Sequence, residues 1–161
     1  MSKTVVDTNV LIALLNSGDD LNEKAEQLLG KLDREGGIFI NPVIYSELST
    51  YFQDRKKLDK FIEDTGIRVE SISKESAFVA GEKFSEYLSN RPERLQCPEC
   101  GSKTDAEYPD CGNSIKARQH IAPDFLIGSH AKVQGDRLAS FDTGFHSNYF
   151  PELEIVPGEV K

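Results

Sequence analysis

The feature that most constrains this chain is an alternation of short, β-rich apolar runs with longer segments of helical apolar spacing. Thr4-Val5-Val6, Ile38-Phe39-Ile40, Ile67–Ile72, Arg137–Phe141 and Leu153–Val156 read as strands. Segments 9–16, 21–32, 42–52, 57–64, 77–90 and 123–133 read as helices. A strand that returns through a helix runs parallel to its predecessor, and its sheet must be covered on both faces. The pattern therefore predicts an α/β protein, a three-layer α/β/α sandwich over a central, mostly parallel sheet. Local signals place the helix ends. Thr8 is expected to cap the first helix, and Pro42 to occupy the first position of the third. Ser73 opens the helix before Asn90, and Gly36-Gly37 is expected to break the chain ahead of the second strand.

With 161 residues the chain can bury one core. A single domain over 1–161 is expected, with an insertion at 92–119 where the sequence turns polar and rich in Gly, Pro and Cys. The net charge of −8 excludes a protein that coats nucleic acid by charge alone. It does not exclude an enzyme whose carboxylates gather divalent cations, because bound cations reverse the local sign. The longest apolar run, Val10–Leu15, is far short of the roughly 20 residues a membrane crossing needs. Lys3 is followed by no secretory h-region, so a cytoplasmic protein with no membrane association is expected.

Four acids fall where acids are costly or where sites form. Asp7 ends the first strand and Asp142 follows Arg137–Phe141, the rim where open α/β sheets bind ligands. Glu47 falls in register with the apolar stripe Ile44, Leu48, Tyr51 and Phe52 of its helix. A carboxylate on such a face needs a partner or a cation. Asp124 repeats the anomaly, with Ile127, Gly128 and Ala131 three, four and seven residues ahead. The plain alternative makes Asp7 and Asp124 helix caps, Glu47 half of a buried ion pair and Asp142 a turn residue. The sharper reading has them converge on one or two hard divalent cations.

Val-Val-Asp7-Thr8-Asn9-Val-Leu-Ile, Ser46-Glu47-Leu, Pro-Asp124-Phe-Leu-Ile-Gly-Ser-His-Ala and Ser140-Phe-Asp142-Thr143-Gly-Phe together resemble the four motifs of PIN domains in order and spacing. The resemblance covers nearly the whole chain outside the Cys-containing insert. It implies a PIN-like fold and an endoribonuclease that hydrolyses RNA phosphodiester bonds. Asp7, Glu47, Asp124 and Asp142 would be the catalytic acids and the ligands of Mg2+ or Mn2+. Asn9 and Ser140 match polar positions that hold the site by hydrogen bonds. Phe141 and Thr143 depart from the family, which frequently carries Arg there, so positive charge near the site is reduced. Small proteins of this kind are similar to the toxin of VapBC-type toxin–antitoxin pairs. The resemblance thus implies an RNA substrate, an antitoxin protein on a separate chain, and a homodimer. Two alternatives stay open: a non-catalytic RNA-binding or scaffolding module, and a nuclease of ribosomal RNA processing. An aspartyl-phosphate phosphatase shares the first Asp but wants a second two residues on, where this chain has Asn9.

The insert carries Cys97-Pro-Glu-Cys100-Gly, a zinc-knuckle signature, and Tyr108-Pro-Asp-Cys111-Gly, where Tyr108 replaces the first thiolate. It resembles a zinc ribbon that lacks one ligand. Zn2+ held by Cys97, Cys100, Cys111 and His120 is one reading, with Asp105 or Asp110 as other fourth ligands. A loop held by local packing is the other. Lys103, Lys116 and Arg118 could meet RNA there, but Glu99, Asp105, Glu107 and Asp110 offset them. His130 and His146 have no acid or Cys at ligand spacing, and each is expected to be structural or exposed. Phe145, Tyr149 and Phe150 suit either base stacking or the packing of a C-terminal turn.

Overall fold

The computed structural model of the chain describes residues 1–90, 94–96, 102–115 and 122–158. The first strand, β1 (Ser2–Val6), feeds two helices, α1 (Thr8–Leu15) and α2 (Asn22–Glu35). After β2 (Gly36–Ile40) come α3 (Pro42–Phe52) and α4 (Arg55–Asp64), then β3 (Arg68–Val69) and α5 (Lys74–Ser89). A small antiparallel pair, β4 (Leu95–Gln96) and β5 (Lys103–Thr104), lies in the insert. The chain closes with α6 (Ala122–Gln134), β6 (Arg137–Ala139), α7 (Thr143–Tyr149) and β7 (Glu154–Val156). The main sheet has five parallel strands in the order β3-β2-β1-β6-β7. Helices flank it, as the alternation predicts.

The order reverses at β1, which has β2 on one side and β6 on the other. The chain leaves β1 toward β2 and leaves β6 toward β7, so the connections after these adjacent strands diverge and leave a crevice at their carboxyl ends.

The core explains why these segments hold. Val5, Val6, Ile38, Ile40, Leu138 and Ala139 fill the sheet, and α1, α3 and α6 add Val10, Leu11, Ile44, Leu48, Ile127 and Ala131. Each large aliphatic side chain so buried contributes about 1.5–3 kcal/mol. A second cluster of Ala80, Tyr87, Phe125, Phe145 and Phe150 joins α5, α6 and α7.

Several local expectations change. Asp7, not Thr8, occupies the N-cap of α1, and Thr8 is the first helical residue, its hydroxyl turned to Glu47. Gly36-Gly37 begins β2 instead of preceding it, because β1 lies so close that a Cβ on Gly36 would stand 2.3 Å from the Ser2 carbonyl oxygen. The third strand is cut to two exposed residues, having a neighbour on one side only. The sixth stops at Ala139, since beyond it Ser140 and the Phe141 N–H turn to Asp7 and Asn9. Tyr51 leaves the expected stripe and is 48% exposed. Among the described residues, no helix is long and apolar enough to cross a membrane.

Candidate functional site

Asp7 sits where β1 ends, its backbone N–H donating to the Ala139 carbonyl at 2.8 Å across the switch point. It caps α1 by backbone conformation, and its side chain makes no cap bond. Its carboxylate serves the site instead. Oδ2 accepts from Asn9 Nδ2 at 2.9 Å and from Ser140 Oγ at 2.7 Å. Asn9 Nδ2 also reaches Ser140 Oγ at 3.1 Å, and Asn9 Oδ1 accepts the Phe141 N–H at 3.1 Å. These bonds tie the loop after β6 to the first turn of α1. Asp7 is buried, so its carboxylate is met by polar donors in place of bulk water.

Glu47 comes from α3. Asn41 starts that helix, its Oδ1 accepting from the backbone N–H groups of Val43 and Ile44, with Pro42 in the first turn. Ile44 and Leu48 bury one face, which leaves Glu47 half-buried toward α1, where it takes the Thr8 hydroxyl. Burial pushes its carboxyl pKa above the usual range; the Thr8 bond pulls it down, and the charges of Asp7 and Asp124 push it up further. Two of the other three acids therefore act on Glu47. Among the described residues, no positive group is among the influences on Glu47. Asp124, half-buried in the first turn of α6, is brought to this neighbourhood by the packing of α3 on α6.

Asp142 is placed differently. It is exposed and caps α7, accepting the Phe145 N–H at 3.4 Å, while its own N–H donates to Ser140 Oγ at 3.0 Å. It stands at the rim, one hydrogen-bonded link from Asp7. Its side chain thus caps a helix, where the plain alternative had made it a turn residue, and it is absent from the charges that act on Glu47. Among the described residues, no three His, Cys, Asp or Glu side chains already close on one point.

Both histidines have acidic partners that local spacing could not reveal. His146 is buried, with Nε2 3.4 Å from Asp7 Oδ2. His130 is fully buried, with Nε2 2.9 Å from Glu70 Oε2 and Nδ1 3.4 Å from Asn41 Nδ2. Glu70 also pairs with Lys3 at 2.6 Å. The only signal in sequence is that His146 falls four residues after Asp142, which a short helix would turn toward the crevice. Phe145, Tyr149 and Phe150 pack with Tyr87 and Phe125, the Phe125–Phe145 ring centroids lying 5.0 Å apart. Phe145 and Phe150 are core residues and offer no free face to a base.

In the insert, Cys111 is exposed and forms no disulfide, and Asn113 Nδ2 lies 3.3 Å from its sulfur. Cys97, Cys100 and His120 lie outside the described residues. Arg94 pairs with Asp105 at 3.1 Å, so this acid is engaged by a cation.

A five-stranded parallel sheet flanked by helices, with Asp7 at its switch point and Glu47 and Asp124 near it, defines an α/β protein with acids at the carboxyl ends of its strands. The chain belongs to the PIN domain family, whose family model matches residues 4–91, just over half of its length. Asp7 and Glu47 fall inside that match, and Asp124 and Asp142 beyond it. The fold is similar to that of VapBC2 from Rickettsia felis, solved bound to a DNA fragment from its promoter. That similarity has 19% identity and a TM-score of 0.58, and covers 94% of this chain and 96% of the other. It is also similar to VapC20 of Mycobacterium tuberculosis, described as a sarcin-ricin loop cleaving toxin, with 18% identity and a TM-score of 0.54 over 90% of this chain and 94% of that one. VapBC-1 from nontypeable Haemophilus influenzae gives 12% identity and a TM-score of 0.61 over 94% of this chain and 95% of that one. No curated protein matches the chain in sequence.

Proposed function

We propose that this protein is an endoribonuclease dependent on Mg2+ or Mn2+, the toxin of a toxin–antitoxin pair. The observation that carries the reading is the coupling of Glu47 to Asp7 and Asp124 at the switch point. An all-oxygen donor set suits hard divalent cations. Asp7 and Asp124 raise the cost of the Glu47 charge, and among the described residues no cationic side chain relieves it, which is the electrostatic situation a bound cation relieves. Asp7, Glu47 and Asp124 would hold the ion, with Asp142 contributing from the rim. The acids must draw together to do so, since none of them is yet gathered on one point with two others.

When bound, the cation supplies an acidified water and neutralises charge on the phosphoryl oxygens. The chain's own groups do the rest. Ser140 and Asn9 hold Asp7 in one orientation. Thr8 does the same for Glu47 Oε2. No histidine is required as the base.

The partners follow from the neighbours. Structures of VapBC complexes support an antitoxin as a separate chain, and the sarcin-ricin description of one neighbour supports a structured RNA as substrate. A homodimer belongs to the same reading, and light scattering on the purified chain measures it. Cleavage of labelled RNA with Mg2+, Mn2+ or EDTA, beside Asp7→Asn, tests the enzyme. The expected outcome is metal-dependent cleavage that falls by at least about a hundredfold in the variant, as for a lost metal ligand. Equal inertness of both proteins with equal RNA binding would replace the nuclease with a binding module.

A further inference from the structure

Asp7 Oδ2 is crowded. It receives Asn9 Nδ2 at 2.9 Å, Ser140 Oγ at 2.7 Å and His146 Nε2 at 3.4 Å. Among the described residues, Oδ1 receives no hydrogen bond. A carboxylate left to itself turns about χ2 with two equivalent oxygens. Donors gathered on one oxygen destroy that equivalence and leave the other for a different ligand.

His146 is the donor that enters from α7. It lies on α7, 139 residues along the chain from Asp7, and only 3% of it is exposed. Phe145 and Phe150, both buried, flank the ring with centroids 4.9 Å and 6.4 Å away. The helix itself is anchored to the site, because Asp142 caps it and donates its own N–H to Ser140 Oγ. The tautomer follows from the other nitrogen. Nδ1 is buried with no hydrogen-bond partner among the described residues. A proton there would be a buried, unsatisfied donor, whereas a bare lone pair costs less. The proton therefore sits on Nε2 and points to Asp7.

We infer that His146 is a positioning residue of this site: its Nε2–H helps to clamp Asp7 Oδ2, so that Asp7 presents Oδ1 to the divalent cation. This rests on the metal-dependent reading proposed above. At 3.4 Å the bond is long for N–H···O, so its effect lies in fixing orientation against the rigid aromatic wall. Its spacing from Asp142 does not by itself assign it this role, because the contact with Asp7 is made only when α7 folds back onto the crevice.

The test uses the side-chain geometry of two amides. Gln carries its NH2 where His carries Nε2, and Asn carries it where His carries Nδ1. Mn2+ binding to the full chain, followed by electron paramagnetic resonance of the free ion, is compared for wild type, His146→Gln, His146→Asn, His146→Leu and Asp7→Asn. Circular dichroism and thermal melting of each variant report folding separately. The expected result is Mn2+ affinity near wild type for Gln, and about tenfold weaker binding for Asn and Leu. Equal affinity of folded Gln and Asn variants would overturn the inference, whether both bind tightly or both weakly. If Leu does not fold, the Gln–Asn pair decides alone. The two readings fail differently. Asp7→Asn with undiminished Mn2+ binding removes the metal site itself. Asp7→Asn that loses binding while Gln and Asn stay equal removes only His146.

Discussion

Glu47 is the residue on which cost and use meet most directly. Burial and two neighbouring carboxylates raise its pKa, so at neutral pH its charge opposes folding. The sign is that of a raised carboxyl. The penalty is full above the folded pKa and is relieved as pH falls through it toward the ordinary value of 4.5. In EDTA, Glu47→Gln should therefore melt on the order of 2–4 °C higher than wild type, while cleavage is lost. Differential scanning calorimetry checks the first and an RNA cleavage assay the second. A lower melting temperature would mean that Thr8 stabilises the charge more than burial and its neighbours oppose it. Asp142 shows the reverse economy. An exposed cap residue bears little folding cost, so its place at the rim is free to serve function without strain on the core.

At the scale of elements, α3 and α6 must be held in register for Glu47 and Asp124 to share a field. Asn41 does this twice over: Oδ1 caps α3, and Nδ2 reaches Nδ1 of His130 on α6 at 3.4 Å. Because Oδ1 is committed to the two N–H groups, Nδ2 must donate, so His130 Nδ1 accepts and Nε2–H donates to Glu70. Asn41→Ala should cost about 2 kcal/mol or more, losing a cap and stranding buried groups. Asp54→Ala, which removes the exposed cap of α4, should cost about 0.5–1 kcal/mol. Urea denaturation of both variants compares them. The same network sets a pH dependence. Burial lowers the His130 pKa below 6.5 against the pull of Glu70, and the Lys3 charge lowers it further. A depressed histidine means that the unfolded chain binds the proton first, so stability is full above about 6.5 and declines as pH falls below it. Melting temperature should drop on that acid side, and His130→Gln should flatten the drop.

Over the whole molecule, the two core clusters are coupled where α6 meets the C-terminal region. Gly128 has no room for a methyl group: a Cβ there would stand 2.3 Å from Cε2 of Phe150, whose side chain is fully buried. Gly128→Ala should destabilise by about 1–3 kcal/mol through overpacking, read as a lower urea midpoint. Since Phe150 also flanks His146, the same variant should disturb the crevice.

The alternation of strand and helix signals determined the fold class, because side-chain periodicity and the need to cover both faces of a parallel sheet are local facts. It also exposed Glu47 and Asp124, because a carboxylate in an apolar register is visible without coordinates. Asp7 and Asp142 were legible as strand-end acids for the same reason. Other decisions belonged to the tertiary structure. Thr8 looked like a cap, but its hydroxyl met Glu47 39 residues away. The Gly36-Gly37 pair looked like a break, yet the approach of Ser2 drew it into a strand. His146 and His130 looked partnerless, since their acids lie 139 and 60 residues distant. Sequence spacing reports neighbours on one element, whereas the crevice joins the ends of different strands. Which oxygen of Asp7 is occupied, and by what, was decided only when β1, β6 and α7 came together.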